Sequence, residues 1–224
     1  MHLKNIQPNA IRMKRLIEGL RKQGITDEKV LAVLASIPRE LFVSKALATD
    51  AYDDACLPIG ELQTISMPSV VARMTAALEL TGTEKVLEIG TGCGYQAVIL
   101  SRLCRRVYTV ERHKSLSEAA VKRLHDMGVT NFTPLVADGT LGWPAQAPFE
   151  RIIVTAAGPW VPAPLVEQLA IGGILVIPVG PQETAQKLLK IRKLSATETT
   201  EENLGPVAFV PLVGQQGAAQ TFRA

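Results

Sequence analysis

Two stretches of this 224-residue chain carry residue types and spacings able to do chemistry: GELQTISMP at 60–68 and VLEIGTGCGYQ at 86–96. The first offers the hydroxyls of Thr64 and Ser66, with no acid or base beside either one. Such a segment can cap the helix expected after it, since Pro68 suits a first helical turn, or it can hold a substrate. The second places Gly90, Gly92 and Gly94 between an apolar strand and a helix, where backbone must turn tightly or lie against a ligand. Its spacing is GxGxG. A dinucleotide fingerprint needs its third glycine one position later, where Tyr95 stands, so a nicotinamide cofactor is disfavoured.

Two further signals follow in register. Glu111 ends the second strand, RVYTVE, where a carboxylate can accept hydrogen bonds from both hydroxyls of a ribose. Asp138 and Gly139, in VADG, end the third strand and offer a carboxylate and a backbone N–H to an adenine edge. Glycines, Glu111 and Asp138 at the ends of three successive strands form one lip of one sheet, which is where open α/β sheets bind ligands.

On these residues the chain resembles the class I S-adenosylmethionine (AdoMet) methyltransferases, whose first motif sets an acid two residues before GxGxG, here Glu88. Within that class, LPIGELQTISMP, VLEIGTGCGYQ, VADG, APFERIIVTAA, GGILVIPVG and FVPLV are similar to the protein-L-isoaspartate O-methyltransferase family, from about residue 11 to 213 and including IPRELFV at 37–43. The resemblance implies a Rossmann-like fold and AdoMet as cofactor. It implies transfer of the methyl group to the free α-carboxyl of an isoaspartyl residue, which starts repair through a methyl ester and a succinimide. It also implies that Gln63, Thr64 and Ile65 help to bind AdoMet, with Glu88, Gly90, Gly92, Gly94, Glu111, Asp138 and Gly139, and that Ser66 is the active-site residue. The implied reaction accounts for the missing base: a carboxyl with a pKa near ~4 is already ionised at pH 7. A neutral hydroxyl can orient that carboxylate without quenching it, and AFVPLV is a candidate edge for substrate backbone. Glu61–Leu62 departs from the family, which usually has a second glycine there, and Leu62 takes a positive φ only at a cost. Cys93 stands for the family's usual small residue and is expected to pack.

Positioning these residues requires alternating elements. Ile11, Leu16, Ile17 and Leu20 recur at helical spacing up to Gly24, and Asp27 can cap a second helix carrying Val30, Leu31, Val33 and Leu34. Residues 39–63 read as irregular, and SVVARMTAALEL as a helix. From residue 85, short apolar runs alternate with amphipathic helices, the pattern of a mostly parallel sheet covered on both faces. KLLKIRKL and PVAFVPLV, joined by polar residues 196–204, read as an antiparallel C-terminal hairpin, with the charged run of the first facing solvent. The fold class is therefore α/β, with a helical and substrate-loop region over 1–80 packed on a core over 81–224 as one integrated domain.

Composition narrows the partners. A net charge of +3 and 4% aromatics leave no basic stripe or stacking platform for nucleic acid. No window approaches the ~20 apolar residues of a membrane span, and the basic N-terminus lacks an apolar secretory core. Three cysteines without CxxC spacing point to reduced thiols, no metal and a cytoplasmic protein, and a monomer or weak oligomer is expected. His2, His113 and His125 read as surface residues, and Asp53 and Asp54 as a solvated turn. Trp143 and Trp160 are expected in loops at the carboxyl end of the sheet. Another class I methyltransferase remains a rival, although TAAGP at 155–159 lacks the (D/N)PP(Y/F) of amino-methylating enzymes. A silent AdoMet-binding module is the other.

Overall fold

A computed structural model describes residues 9–182 and 184–219. Helix α1 (Ala10–Lys22) begins where Asn9 accepts a hydrogen bond from the Arg12 N–H, and it buries Met13, Leu16, Ile17 and Leu20. Ile11, expected on that apolar face, is instead exposed. Helix α2 (Glu28–Ser36) is capped by Asp27, whose carboxylate accepts from the N–H groups of Lys29 and Val30. Three short 3-10 turns then lead to a feature the sequence pattern hid. Residues 57–65 form a hairpin of β1 (Leu57–Gly60) and β2 (Gln63–Ile65), within a stretch read as irregular. Strands of three or four residues are too short to display a period.

After α3 (Pro68–Ala77) the alternation is regular: β3 (Lys85–Ile89), α4 (Tyr95–Leu103), β4 (Arg106–Glu111), α5 (Lys114–Asp126), β5 (Phe132–Val136), β6 (Phe149–Val154), α6 (Ala163–Glu167) and β7 (Leu169–Val179). Strands β8 (Gln186–Lys193) and β9 (Thr199–Val207) complete one seven-stranded sheet of order β5-β4-β3-β6-β7-β8-β9. Strands β3 to β7 pair in parallel, while β7–β8 and β8–β9 are antiparallel. Strand order therefore reverses between β3 and β6, and a crevice opens at their carboxyl ends. One apolar cluster covers one face, with Leu20, Leu31, Leu34 and Met74 from the first three helices packed beside Val98 and Ile99 of α4. A second, around Ile152, Val154, Leu165 and Leu175, lies under α6.

Three expectations need correction. The last strand runs through the polar residues 199–207, because an edge strand with one solvated face tolerates Thr and Glu; AFVPLV is held by isolated bridges instead. The charged run on β8 is not simply solvated. Lys190 and Arg192 clasp Glu79 beyond α3 at 2.6 and 2.8 Å, and the Lys193 ammonium donates to the carbonyls of Val166 and Glu167. Trp143 packs edge-on against Tyr108, itself beside Phe149 at the start of β6, so it lies toward the amino end of the strands. Trp160 is exposed near the carboxyl end, two residues after Gly158, which bridges the end of β7. Among the described residues no helix is long and apolar enough to cross a membrane.

Candidate active site

The glycine loop starts where β3 ends. Gly90 has φ +96°, and the Thr155 hydroxyl from the end of β6 donates to the carbonyls of Ile89 and Gly90 at 3.0 and 2.8 Å. A Cβ at Gly90 would collide with that hydroxyl, so only glycine lets the two strand ends meet at the crevice. Gly94, in the left-handed region, opens α4. Tyr95, which stands where a dinucleotide fingerprint would need glycine, is the first residue of α4. Its buried ring turns toward the N-terminal region, edge-on to Phe42 at 5.1 Å and beside the Arg39 guanidinium.

Glu111 is buried and holds the loop from the neighbouring strand: its two carboxylate oxygens each accept one backbone N–H, from Gly92 and from His113, at 2.9 Å. Glu88 is fully buried below the loop. One of its oxygens accepts from Thr109, whose hydroxyl also meets that of Thr91 at 2.6 Å; the other has no partner among the described residues. Burial pushes the Glu88 carboxyl up to about 8, against the Thr109 hydrogen bond, with a smaller push from Glu111. Asp138 faces a segment that its spacing did not suggest. Its carboxylate accepts from Thr140 and from the Gln215 N–H at 2.8 Å; burial alone would raise its pKa, but these bonds outweigh that and hold it below the usual range. Gly139 packs directly on Ile89.

The hairpin lies over this loop. Ile59 of β1 stands 3.3 Å from where a Cβ of Gly92 would be, so the side chain closes on bare backbone. Glu61 and Leu62 form its two-residue turn with φ of 51° and 56°, so Leu62 does take the costly conformation, with its side chain almost wholly in solvent. Gln63 donates back to the Glu61 carbonyl, Thr64 is exposed and Ile65 is buried. Ser66 is half-buried; its carbonyl accepts from Arg39 at 2.9 Å, and its hydroxyl makes no hydrogen bond among the described residues. Neither Thr64 nor Ser66 caps α3. Asp54 does so from the preceding turn, accepting the Ser69 N–H at 2.8 Å, which corrects its reading as a solvated turn.

Two cavities flank the hairpin. One of about 470 Å³ lies between β1, the backbone of Gly92 and Cys93, and Leu116, Ala119 and Arg123 of α5. The other, about 290 Å³, is lined by Ser66, Cys56, Met67, Arg73 and the stretch Pro206–Phe209. Ser66 and the start of AFVPLV thus share one cavity. The edge farther along is taken, because Val210 O and Leu212 N both bond to Ala157 at 2.8 Å. Glu111 and Asp138 line neither cavity; they stand on the strand-end lip. The Cys93 thiol, pushed up to about 11 by burial, packs as a small residue. His113 departs from its reading, since its Nδ1 lies 3.7 Å from Glu61, whereas His125 rests on Phe132 and His2 lies outside the described residues.

Residues 11–217 match the family described as protein-L-isoaspartate(D-aspartate) O-methyltransferase. The chain belongs to that family. Relatives from Parvibaculum lavamentivorans and Trichlorobacter lovleyi, both named protein-L-isoaspartate O-methyltransferase, are 54% and 52% identical over 200 and 208 residues. The first alignment covers 88% of this chain and 90% of the relative, the second 92% and 95%. A solved protein-L-isoaspartate O-methyltransferase superposes with a TM-score of 0.82 at 28% identity, over 92% of this chain and 67% of that one. A Plasmodium falciparum structure, solved with S-adenosyl-L-homocysteine, shares the fold at TM-score 0.75 and 24% identity, over 88% of this chain and 96% of its own.

The structure also brings to the site two residues that spacing did not single out. Arg39 sits within IPRELFV, and its buried guanidinium donates to the carbonyls of Ala51, Ala55 and Ser66. Thr155 sits within RIIVTAA and clasps the glycine loop. Both lay in strings that carried the family resemblance, but a charge or hydroxyl inside an apolar run does not announce what it will touch.

Proposed function

We infer that the protein transfers the methyl group of AdoMet to the free α-carboxyl of L-isoaspartyl residues in peptides and proteins. The observation that carries this reading is the hairpin bearing QTIS packed on the glycine loop, with the Ser66 hydroxyl left free beside a cavity. The residues fit AdoMet. The glycines turn the loop at positive φ at the strand-end lip, a two-oxygen acid stands at Glu111, and Glu88 keeps a buried oxygen with no partner among the described residues, which a cation would satisfy.

We assign Gly90, Gly92, Gly94, Glu88, Glu111, Asp138 and Gly139 to the cofactor, together with Gln63, Thr64 and Ile65 of the hairpin, and Ser66 to catalysis. When bound, AdoMet would supply an electrophilic sulfonium methyl with a neutral thioether as its leaving group. The chain's part is alignment. Ser66 donates one neutral hydrogen bond that aims the carboxylate, which needs no base because it is already ionised. Arg39 fixes the Ser66 backbone from behind. Ala208 and Phe209 line the same cavity and can meet the peptide. The neighbouring backbone nitrogen of the released methyl ester would then attack the ester carbonyl and expel methanol, the amide proton leaving with the methoxide, to give a succinimide.

The regions 1–80 and 81–224 work as one unit on this reading, supported by their shared apolar cluster. The same reading makes the protein a cytoplasmic monomer or weak oligomer acting on peptide, without nucleic acid or membrane. Labelled AdoMet offered with a matched isoaspartyl and aspartyl peptide pair is expected to label only the isoaspartyl member, in a base-labile bond. Ser66→Ala should lower kcat/KM about 10- to 100-fold. Labelling of neither peptide, with AdoMet binding demonstrated, would overturn the assignment and favour a silent binding module.

A further inference from the structure

We propose that Glu61 is a positioning residue for the cofactor, latching the β1–β2 hairpin onto the first turn of α5; this rests on the assignment of the glycine loop to AdoMet. Within the turn that holds Glu61, the side-chain hydrogen bond is the one from Gln63 to the Glu61 carbonyl at 3.2 Å, and the Glu61 carboxylate takes no part in it. Both of its central residues sit in the left-handed region, which L side chains avoid, and the Leu62 side chain meets almost nothing. Compensation comes from outside. One Glu61 oxygen accepts from the Ser115 hydroxyl at 2.6 Å, and the other lies 3.7 Å from Nδ1 of His113.

Helix α5 has a use for this carboxylate. It begins at His113 without a side-chain cap and with no acid in its first turn. A negative charge there complements the unsatisfied N–H groups and the positive end of the helix dipole. Glu61 supplies it from a separate element, so hairpin and helix start stabilise each other.

These contacts close a circuit. The N–H of His113 donates to one oxygen of Glu111, and the N–H of Gly92 donates to the other. Ile59, on the same hairpin as Glu61, covers Gly92. The hairpin is thus tied at its tip to the helix that steadies Glu111, and along its length to the loop that Glu111 holds. Loosening the tip frees Ile59 and, with it, the loop that would receive AdoMet.

Calorimetric titration of AdoMet into the intact protein and its variants tests the latch. Glu61→Ala is expected to weaken AdoMet binding about fivefold, the equivalent of ~1 kcal/mol for a partly exposed pair, and to raise KM for AdoMet without lowering kcat at saturation. Ser115→Ala should lose part of the same amount, and the double variant no more than Glu61→Ala alone. Glu61→Gln, which can still accept from Ser115 but carries no charge for the start of α5, should recover part of the affinity. Unchanged AdoMet affinity in Glu61→Ala, or additive losses in the double variant, would overturn the proposal. Hydrogen exchange separates the two readings. Faster exchange at residues 61–65 in Glu61→Ala supports the latch even if the wild type binds no AdoMet, an outcome that would sink the functional reading instead. Equal exchange in both proteins counts against the latch whatever the titration shows.

Discussion

Glu88 shows how a motif acid can be readable in type and unreadable in state. Its position two residues before the glycines marks it as a site residue, yet its environment makes it a neutral acid in the free protein, with its pKa pushed up to about 8 by burial. The linkage has a definite sign. The folded protein keeps the proton up to about pH 8, whereas the unfolded chain releases it near the ordinary carboxyl value of 4.5, so the stability conferred is full below that value and is lost as pH rises toward 8. Glu88→Gln removes the titration. Thermal unfolding from pH 5 to 8.5 should show the wild type losing a few kcal/mol, while the Gln variant stays nearly flat over the same window. Parallel curves for the two proteins would mean that Glu88 is ionised when folded. A bound cation should shift the wild-type curve toward that of an ionised carboxylate, because it gives the unpartnered oxygen a partner.

The hairpin and α3 divide between them what one short loop was expected to do. Thr64 and Ser66 were both candidates to cap the helix, and had either done so its hydroxyl would have been occupied. Asp54, fifteen residues before Ser69, takes the cap instead, and Ser66 keeps its hydroxyl for other use. Asp54→Ala should therefore cost about 0.5–2 kcal/mol, seen as a Tm lower by a few degrees, while Asp54→Asn retains an acceptor and most of the stability. If Asp54→Ala leaves Tm unchanged, the helix start is satisfied by some other group. Because the cap fixes the helix end next to Ser66, the Ala variant should also raise KM for the peptide.

Across the whole molecule, Arg39 joins the N-terminal helical region to the loop that carries Ser66. Its side chain is fully buried, donates to three carbonyls from residues 51, 55 and 66, and lies beside the Tyr95 ring at the start of α4. Burial lowers its pKa, opposed by Tyr95, Cys93, Cys56 and Asp54, but a guanidinium starting at 12.5 remains a cation at neutral pH. Arg39→Ala would leave three carbonyls unpaired and a cavity in the core, so urea denaturation should report a loss of about 3–5 kcal/mol. Arg39→Lys cannot reach all three carbonyls and should fall between. An Ala variant as stable as the wild type would mean that the N-terminal region is not tied to the core through this residue.

Chain order and local pattern determined a large part of this protein. Apolar runs at β3, β4, β6 and β7, with glycines and acids at three strand ends, specify a parallel sheet with a ligand lip, because period and turn chemistry are local properties. The string QTIS and its neighbours identified the family for the same reason. What only the tertiary structure decided depends on contacts between residues far apart in sequence: Asp54 on Ser69, Arg39 on Ser66, Gln215 on Asp138, and Glu61 on Ser115. The last strand was misplaced because an edge tolerates polar residues that a local pattern assigns to a loop. The left-handed turn at Glu61 and Leu62 was counted as a cost, which it is for the isolated turn, and its compensation becomes visible only once α5 is folded against it. Propensity and periodicity are summed along the chain, whereas hydrogen-bond satisfaction and burial are settled in space, and the site residues of this protein depend on both.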